Sequence, residues 1–256
     1  MALEICVDSV EAAIVADRGG AERIELCGDL MEGGITPSAG LIAMVRSAVS
    51  IDVFVMIRPR GGDSLYSARE IDTMETDIAE AKRLGANGVV LGVLGSDSRV
   101  DVPRTERLVK LAAPMAVTFH RAFDMTPDLD QACEDAISTG AHRILTSGGM
   151  QTARKGAEEI ARLVERAGQR IGIVAASGIN ARNAAELIRA TGVTEVHASL
   201  RRRAPSPVRH RNNGVSMGTR KNAEFVRYEL LEADVRALRS AVDSATAMAG
   251  VGPFVQ

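Results

Sequence analysis

Two segments near the start of the chain pair an acid with a thiol in the same way: Glu4 and Cys6 in LEICV (residues 3–7), and Glu25 and Cys27 in RIELC (residues 23–27). Apolar residues alternate with the pair in each. A period of two belongs to a β-strand, so acid and thiol share one face. Neighbouring strands lie ~4.8 Å apart, and in register they set Cys6 beside Cys27. Two thiolates so placed can clamp a soft monovalent metal such as Cu(I), with His197 as a candidate third ligand. Two inert core residues fit the same pattern, because free cysteine is among the most buried residue types. Cys133 falls in a helical pattern and reads as core.

Glu25, His120, Asp124 and His197 are the candidates for moving a proton; within TFHRAFD (118–124), Asp124 is expected to tune His120. Arg58, Arg60, Arg121 and Arg201 follow strand-like runs and are candidates for holding a carboxylate or phosphate bidentately. Thr146, Ser147 and Ser199 add hydroxyl groups, and the turn ASGINARN adds backbone N–H groups around Gly178. Taken singly, each arginine is as readily explained by a surface ion pair with Asp63, Asp124 or Glu32. The sequence contains no HExxH or CxxC zinc spacing and no nucleophile-and-base signature.

The elements that must position these residues follow from periodicity. Apolar runs of strand length recur at 3–7, 23–27, 53–59, 88–94, 116–123, 143–147, 171–177 and 195–200. Helical patterns intervene, for instance near 38–49 and 103–113, and a last one covers 222–242. Glycine closes several helices (RGGAERI, RLGANGV, STGAHRI, RAGQRI, ATGVTEV), predicting a left-handed cap before the next strand. Eight β/α units in a chain of this length predict an α/β protein, a single-domain (β/α)8 or TIM barrel over 1–256. The absence of G-x-G-x-x-G after the first run argues against a nucleotide-binding open sheet. The stretch 201–221, RRRAPSPVRHRNNGVSMGTRK, is predicted to be a long loop before the last helix, serving as a lid or a subunit interface.

In a closed barrel, side chains alternate between the interior and the helix layer. The large apolar residues Ile5, Ile24, Leu26, Ile57, Phe119, Leu145 and Val196 are assigned to the helices. Glu4, Cys6, Glu25, Cys27, Met56, Arg58, Thr118, His120, Thr146, His197 and Ser199 then point inward. Buried charges must pair, reach water or bind something, and Glu25 with Arg58 is the expected pair.

Composition narrows the partners. Hydrophobic residues at 46 % and charged residues at 25 % describe a globular chain without a membrane span. A net charge of -2 and the lack of Trp argue against a nucleic-acid partner. Three cysteines make no disulfide framework, and a strand pattern from Leu3 leaves no room for a signal segment. A cytoplasmic protein is expected, with homo-oligomer formation through the basic loop kept open.

Taken in order, LEICVDS, GAERIELCGDLMEGGITPSAG, VMIRPRGGD, TFHRAFD, RILTSGG and VHAS resemble the CutC family of copper homeostasis proteins from Leu3 to about Met217. The resemblance implies a TIM barrel, a cytoplasmic role in copper handling, and Cu(I) ligands at Cys6 and Cys27. Two departures stand out: IVAASGIN replaces a more Gly-rich turn, and Ser64 stands where an aromatic residue is usual after RGGD. Two functions of different class remain open: a Cu(I)-binding homeostasis protein, and a barrel enzyme acting on a small anionic substrate.

Overall fold

The computed structural model describes residues 1–215, 217 and 223–249. Eight parallel strands close into a barrel in chain order: β1 (Ala2–Val7), β2 (Arg23–Leu26), β3 (Asp52–Met56), β4 (Gly88–Leu91), β5 (Ala116–Phe119), β6 (Arg143–Thr146), β7 (Gly172–Ala175) and β8 (Glu195–Ala198). Strand β8 returns to pair with β1. The surrounding helices are α1 (Val10–Arg18), α2 (Ala39–Ala48), α3 (Ala68–Arg83), α4 (Val102–Ala112), α5 (Leu129–Ser138), α6 (Ala157–Ala167), α7 (Ala184–Thr191) and α8 (Glu232–Ala249). The fold is the (β/α)8 barrel that the spacing of apolar runs predicts. Among the described residues, no helix is long and apolar enough to cross a membrane.

Local chemistry explains the elements. Helix α3 opens with a reciprocal Ser67–Glu70 capping box and buries Ile71, Met74, Ile78 and Ala81 along one stripe. The five helix-closing glycines, Gly20, Gly85, Gly140, Gly168 and Gly192, all have positive φ, as their placement predicts. The main core lies between strands and helices, with Ile5, Ile24, Leu26, Ile57, Phe119 and Val196 fully buried in it.

Several expectations are corrected. Leu145 belongs to a small cluster with Val174 and Ala176, apart from the helix layer, and it lines a cavity at the barrel mouth; Ile144 takes the outer position. The face of β6 is therefore opposite to that assigned, and Thr146 is not part of that inner face. The run 53–59 is a strand only to Met56, and 116–123 only to Phe119, after which Arg121–Met125 form a 3-10 turn. The pattern 222–242 is α-helical only from Glu232, after a 3-10 turn at Ala223–Phe225 and a short strand. The 201–221 segment contributes β9 (Arg202–Pro205), which pairs antiparallel with β10 (Val226–Glu229) in a separate two-stranded arm. Residues 216 and 218–221 of that segment lie outside the described residues.

Register is the correction that matters most for the site. Glu4 aligns with Arg23 and Cys6 with Glu25, so β2 is staggered by two residues from the arrangement that sets thiol opposite thiol. Stagger of this kind is inherent in closing tilted strands into a barrel.

Candidate functional site

The lower part of the barrel is held by an ionic cluster that alternation predicts only if it is continued toward the strand starts. Arg23 donates to Glu4 and, at 2.6 Å, to Glu195, which also accepts from Arg143 at 3.1 Å. The Arg23 and Arg143 guanidinium groups lie 4.8 Å and 5.1 Å from the centre of the Phe54 ring. Arg23 and Glu195 stand two residues before the inward Glu25 and His197, which is the signal that would have found them; Arg143 precedes Leu145, whose face the sequence misassigns, so only the structure places it here.

Above this cluster sit the thiols. Despite the stagger, Cys6 Sγ on β1 lies 3.8 Å from the Sγ of Cys27, the residue that follows β2. Cys27 Sγ is also 3.5 Å from Glu25 Oε2. His197 Nδ1 donates to Glu4 at 2.6 Å, while its Nε2 stands 3.9 Å from Glu25 Oε2. Cys6, Cys27 and His197, which the sequence offers as one ligand set, and Glu25, which it places on the face of Cys27, form one buried group. Among the described residues, the donor sets that converge closely enough for one ion are Cys6–Glu25–Cys27 and Glu4–Glu25–His197. Glu25 is thus the group that converges with both sulfurs, while His197 stands against Cys6.

The electrostatics favour a thiolate here. The hydrogen bond from Cys27 pulls the Cys6 thiol down to about 5, while the same bond and burial push Cys27 up. Burial would raise the Glu4 carboxyl, but Arg23 and His197 outweigh it and hold it at about 2. Burial and then the charge on Cys6 push Glu25 up toward its neutral form. His197 is raised despite burial, because Glu25, Cys6 and Glu4 all favour its cation.

Access is one-sided. Cys27 is fully buried beneath the turn at Gly34, whose φ is +89° and where a Cβ would come 3.0 Å from the sulfur. Only glycine allows that close an approach in that conformation. Cys6 faces a cavity of about 570 Å³ at the C-terminal ends of the strands, where barrel sites are built. Its wall includes Glu25, His197, Arg58, His120, Arg121 and the apolar Met56, Leu94, Met125 and Leu145. Sequence reading missed most of the apolar wall: alternation assigns Leu145 to the helices, Leu94 lies past the end of the strand in the run 88–94, and Met125 ends the 3-10 turn after β5. Ser64, the departure after RGGD, also lines it.

The expected pairings at the rim are replaced by others. Arg58 does not meet Glu25; its guanidinium donates to the carbonyls of Glu32, Gly34 and Gly62 at 2.7–2.9 Å. Asp124 does not tune His120. It accepts from the Thr146 hydroxyl (2.5 Å), the Ser147 and Gly149 N–H groups, and Arg121 Nε (2.8 Å), so it anchors the turn after β6. Thr146 and Ser147 are thereby spent on that anchor. Arg60 turns away to Glu70 and Asp63. Arg201 pairs with Asp8 and Ser199 and lines, with Gly178, a separate cavity between the turns after β7 and β8. Of the four rim arginines, the structure brings only Arg58 and Arg121 to the mouth.

Comparison with known proteins agrees with this architecture. The model of the CutC family matches residues 1–202, ending where the β9–β10 arm begins. A CutC family protein of Chromobacterium violaceum is 49% identical over 243 residues, 95% of this chain and 98% of its own. The human copper homeostasis protein cutC homolog is 46% identical over 238 residues, 93% of this chain and 86% of its own. A CutC crystal structure from Streptococcus agalactiae matches with a TM-score of 0.74 at 33% identity, over 77% of this chain and 97% of its own. Thiamine phosphate pyrophosphorylase from Pyrococcus furiosus, at 18% identity and a TM-score of 0.57, shares the fold alone. On the family match and these identities, the chain belongs to the CutC family.

Proposed function

We propose that this chain is a copper homeostasis protein that takes Cu(I) as cargo between the sulfurs of Cys6 and Cys27. The observation that carries the reading is the 3.8 Å separation of the two sulfurs, with no disulfide between them. One ion bonded to each at ~2.3 Å, a usual metal–thiolate length, is within reach of both. The donor set also fits chemically, since paired thiolates select soft ions. Glu25 Oε1 is buried without a partner, so an acceptor beside the sulfurs is left unused.

The surroundings support capture from one side. Cys6 meets the cavity and Cys27 lies behind it, so an ion entering from the mouth bonds first to the sulfur already favoured as thiolate. His197, fixed by its hydrogen bond to Glu4, supplies a neighbouring positive charge that keeps the sulfur charged before metal arrives. The human relative's name, copper homeostasis protein, agrees with such a cargo.

The test is an anaerobic Cu(I) titration against a competing chelator, using the wild type, Cys6→Ser and Cys27→Ser. Each substitution is expected to weaken Cu(I) by more than the ~10–100-fold that loss of a supporting hydrogen bond costs a metal site. Unchanged affinity in both variants would overturn the assignment.

A further inference from the structure

The mouth cavity contains binding groups that thiol ligation of a metal does not use. Arg58 is half-buried and held by three backbone carbonyls, and among the described residues it has no carboxylate within ion-pair distance. Carbonyl dipoles fix a guanidinium in place without cancelling its charge, so the cavity wall keeps a net positive group. On the same wall, His120 is 6 % exposed. Its Nδ1 accepts from the Ala122 N–H at 3.1 Å, which places the remaining proton on Nε2. That Nε2–H has no partner, an expensive condition for a buried donor. Arg58 lies close enough to His120 to act on it electrostatically, and both line the same space.

The rest of the wall sets the size and character of an occupant. About 570 Å³ is the volume of a small-molecule pocket, and Met56, Leu94, Ala122 and Leu145 give it an apolar side. The two acids on the wall do not oppose an anion strongly. Asp63 is engaged by Arg60, and Glu25 lies at the thiol end of the wall, 3.9 Å from the His197 ring nitrogen Nε2. Arg121, tied to Asp124, adds a second guanidinium at the rim.

We propose that this cavity binds a small organic anion, a carboxylate or phosphate ester with an apolar body, whose anionic oxygens take Arg58 and the Nε2–H of His120. The site stands beside the thiol pair and does not depend on it: the anion satisfies the orphaned donor and the unopposed guanidinium, whichever ion the sulfurs carry.

Calorimetric titration of the full chain with phenylacetate, phenyl phosphate and the neutral 2-phenylethanol tests this, with a Cu(I) chelator present so that the anion alone is read. At least one anion is expected to bind at 1:1 with a Kd below ~1 mM, and the neutral analogue not to saturate. The two anions separate a carboxylate site from a phosphate site. Arg58→Met and His120→Asn should each weaken binding about tenfold or more, the worth of a charge-assisted hydrogen bond. Asn at 120 offers an oxygen to the Ala122 N–H yet lacks the outer donor, so it tests the contact with the turn kept. Should Arg58→Met fail to fold, His120→Asn decides alone. Neither anion saturating by ~10 mM, or binding unchanged in the folded variants, overturns the proposal.

Discussion

His120 shows how much one buried side chain can encode. Burial, with Arg58 nearby, lowers its pKa from 6.5 to about 4. Between these values the unfolded chain takes up a proton that the folded chain refuses. Stability contributed by the neutral imidazole is therefore full above about 6.5, falls as the pH drops, and levels off below about 4. At about 1.4 kcal/mol per pKa unit, the window is worth roughly 3 kcal/mol. His120→Asn removes the titration. Urea unfolding at neutral pH and again near the acid end should show the wild type losing roughly 2–3 kcal/mol more than the variant. Equal losses would mean that His120 is not held neutral. The sequence placed this histidine inside the barrel correctly, but it offered Asp124 as the partner. That carboxylate is instead saturated by Thr146, Ser147, Gly149 and Arg121, a choice that depends on how two successive turns pack.

Among the elements, β4 illustrates a constraint carried by a missing side chain. Gly88 opens the strand, and a Cβ there would lie 2.5 Å from Phe54 on β3. The Phe54 ring cannot simply swing away, because Arg23 and Arg143 lie against it. Gly88→Ala is expected to cost about 1–3 kcal/mol by overpacking. Thermal unfolding should show the loss, and adding Phe54→Leu should recover part of it, the two changes being coupled rather than additive. In sequence, Gly88 marks only the start of an apolar run. The ends of runs were less legible than their starts: 116–123 returns to apolar residues at Ala122 and Phe123, yet His120 accepts from the Ala122 N–H and turns the chain into a 3-10 segment.

At the scale of the molecule, the barrel is closed below by ions and opened above by a cavity. Arg23 joins Glu4 to Glu195, and Glu4 in turn fixes His197 beside the thiols. Arg23→Met leaves Glu4 with His197 alone and Glu195 with Arg143 alone, and should destabilise the fold by ~3 kcal/mol, the low end for breaking a buried pair, read by chemical denaturation. A smaller loss, within about 1 kcal/mol, would show that the pair is exposed to water in solution. Eight strands, their order and the inward face of most were determined by sequence alone, because alternation and helix-capping glycine act over a few residues. Tertiary structure alone decided that β2 slides two residues along β1 while Cys6 and Cys27 still meet, that Leu145 points inward, and that only two of four rim arginines reach the mouth. Strand stagger is a property of the closed barrel, and a rim side chain takes whichever partner closure brings near; neither quantity resides in any local stretch of the chain.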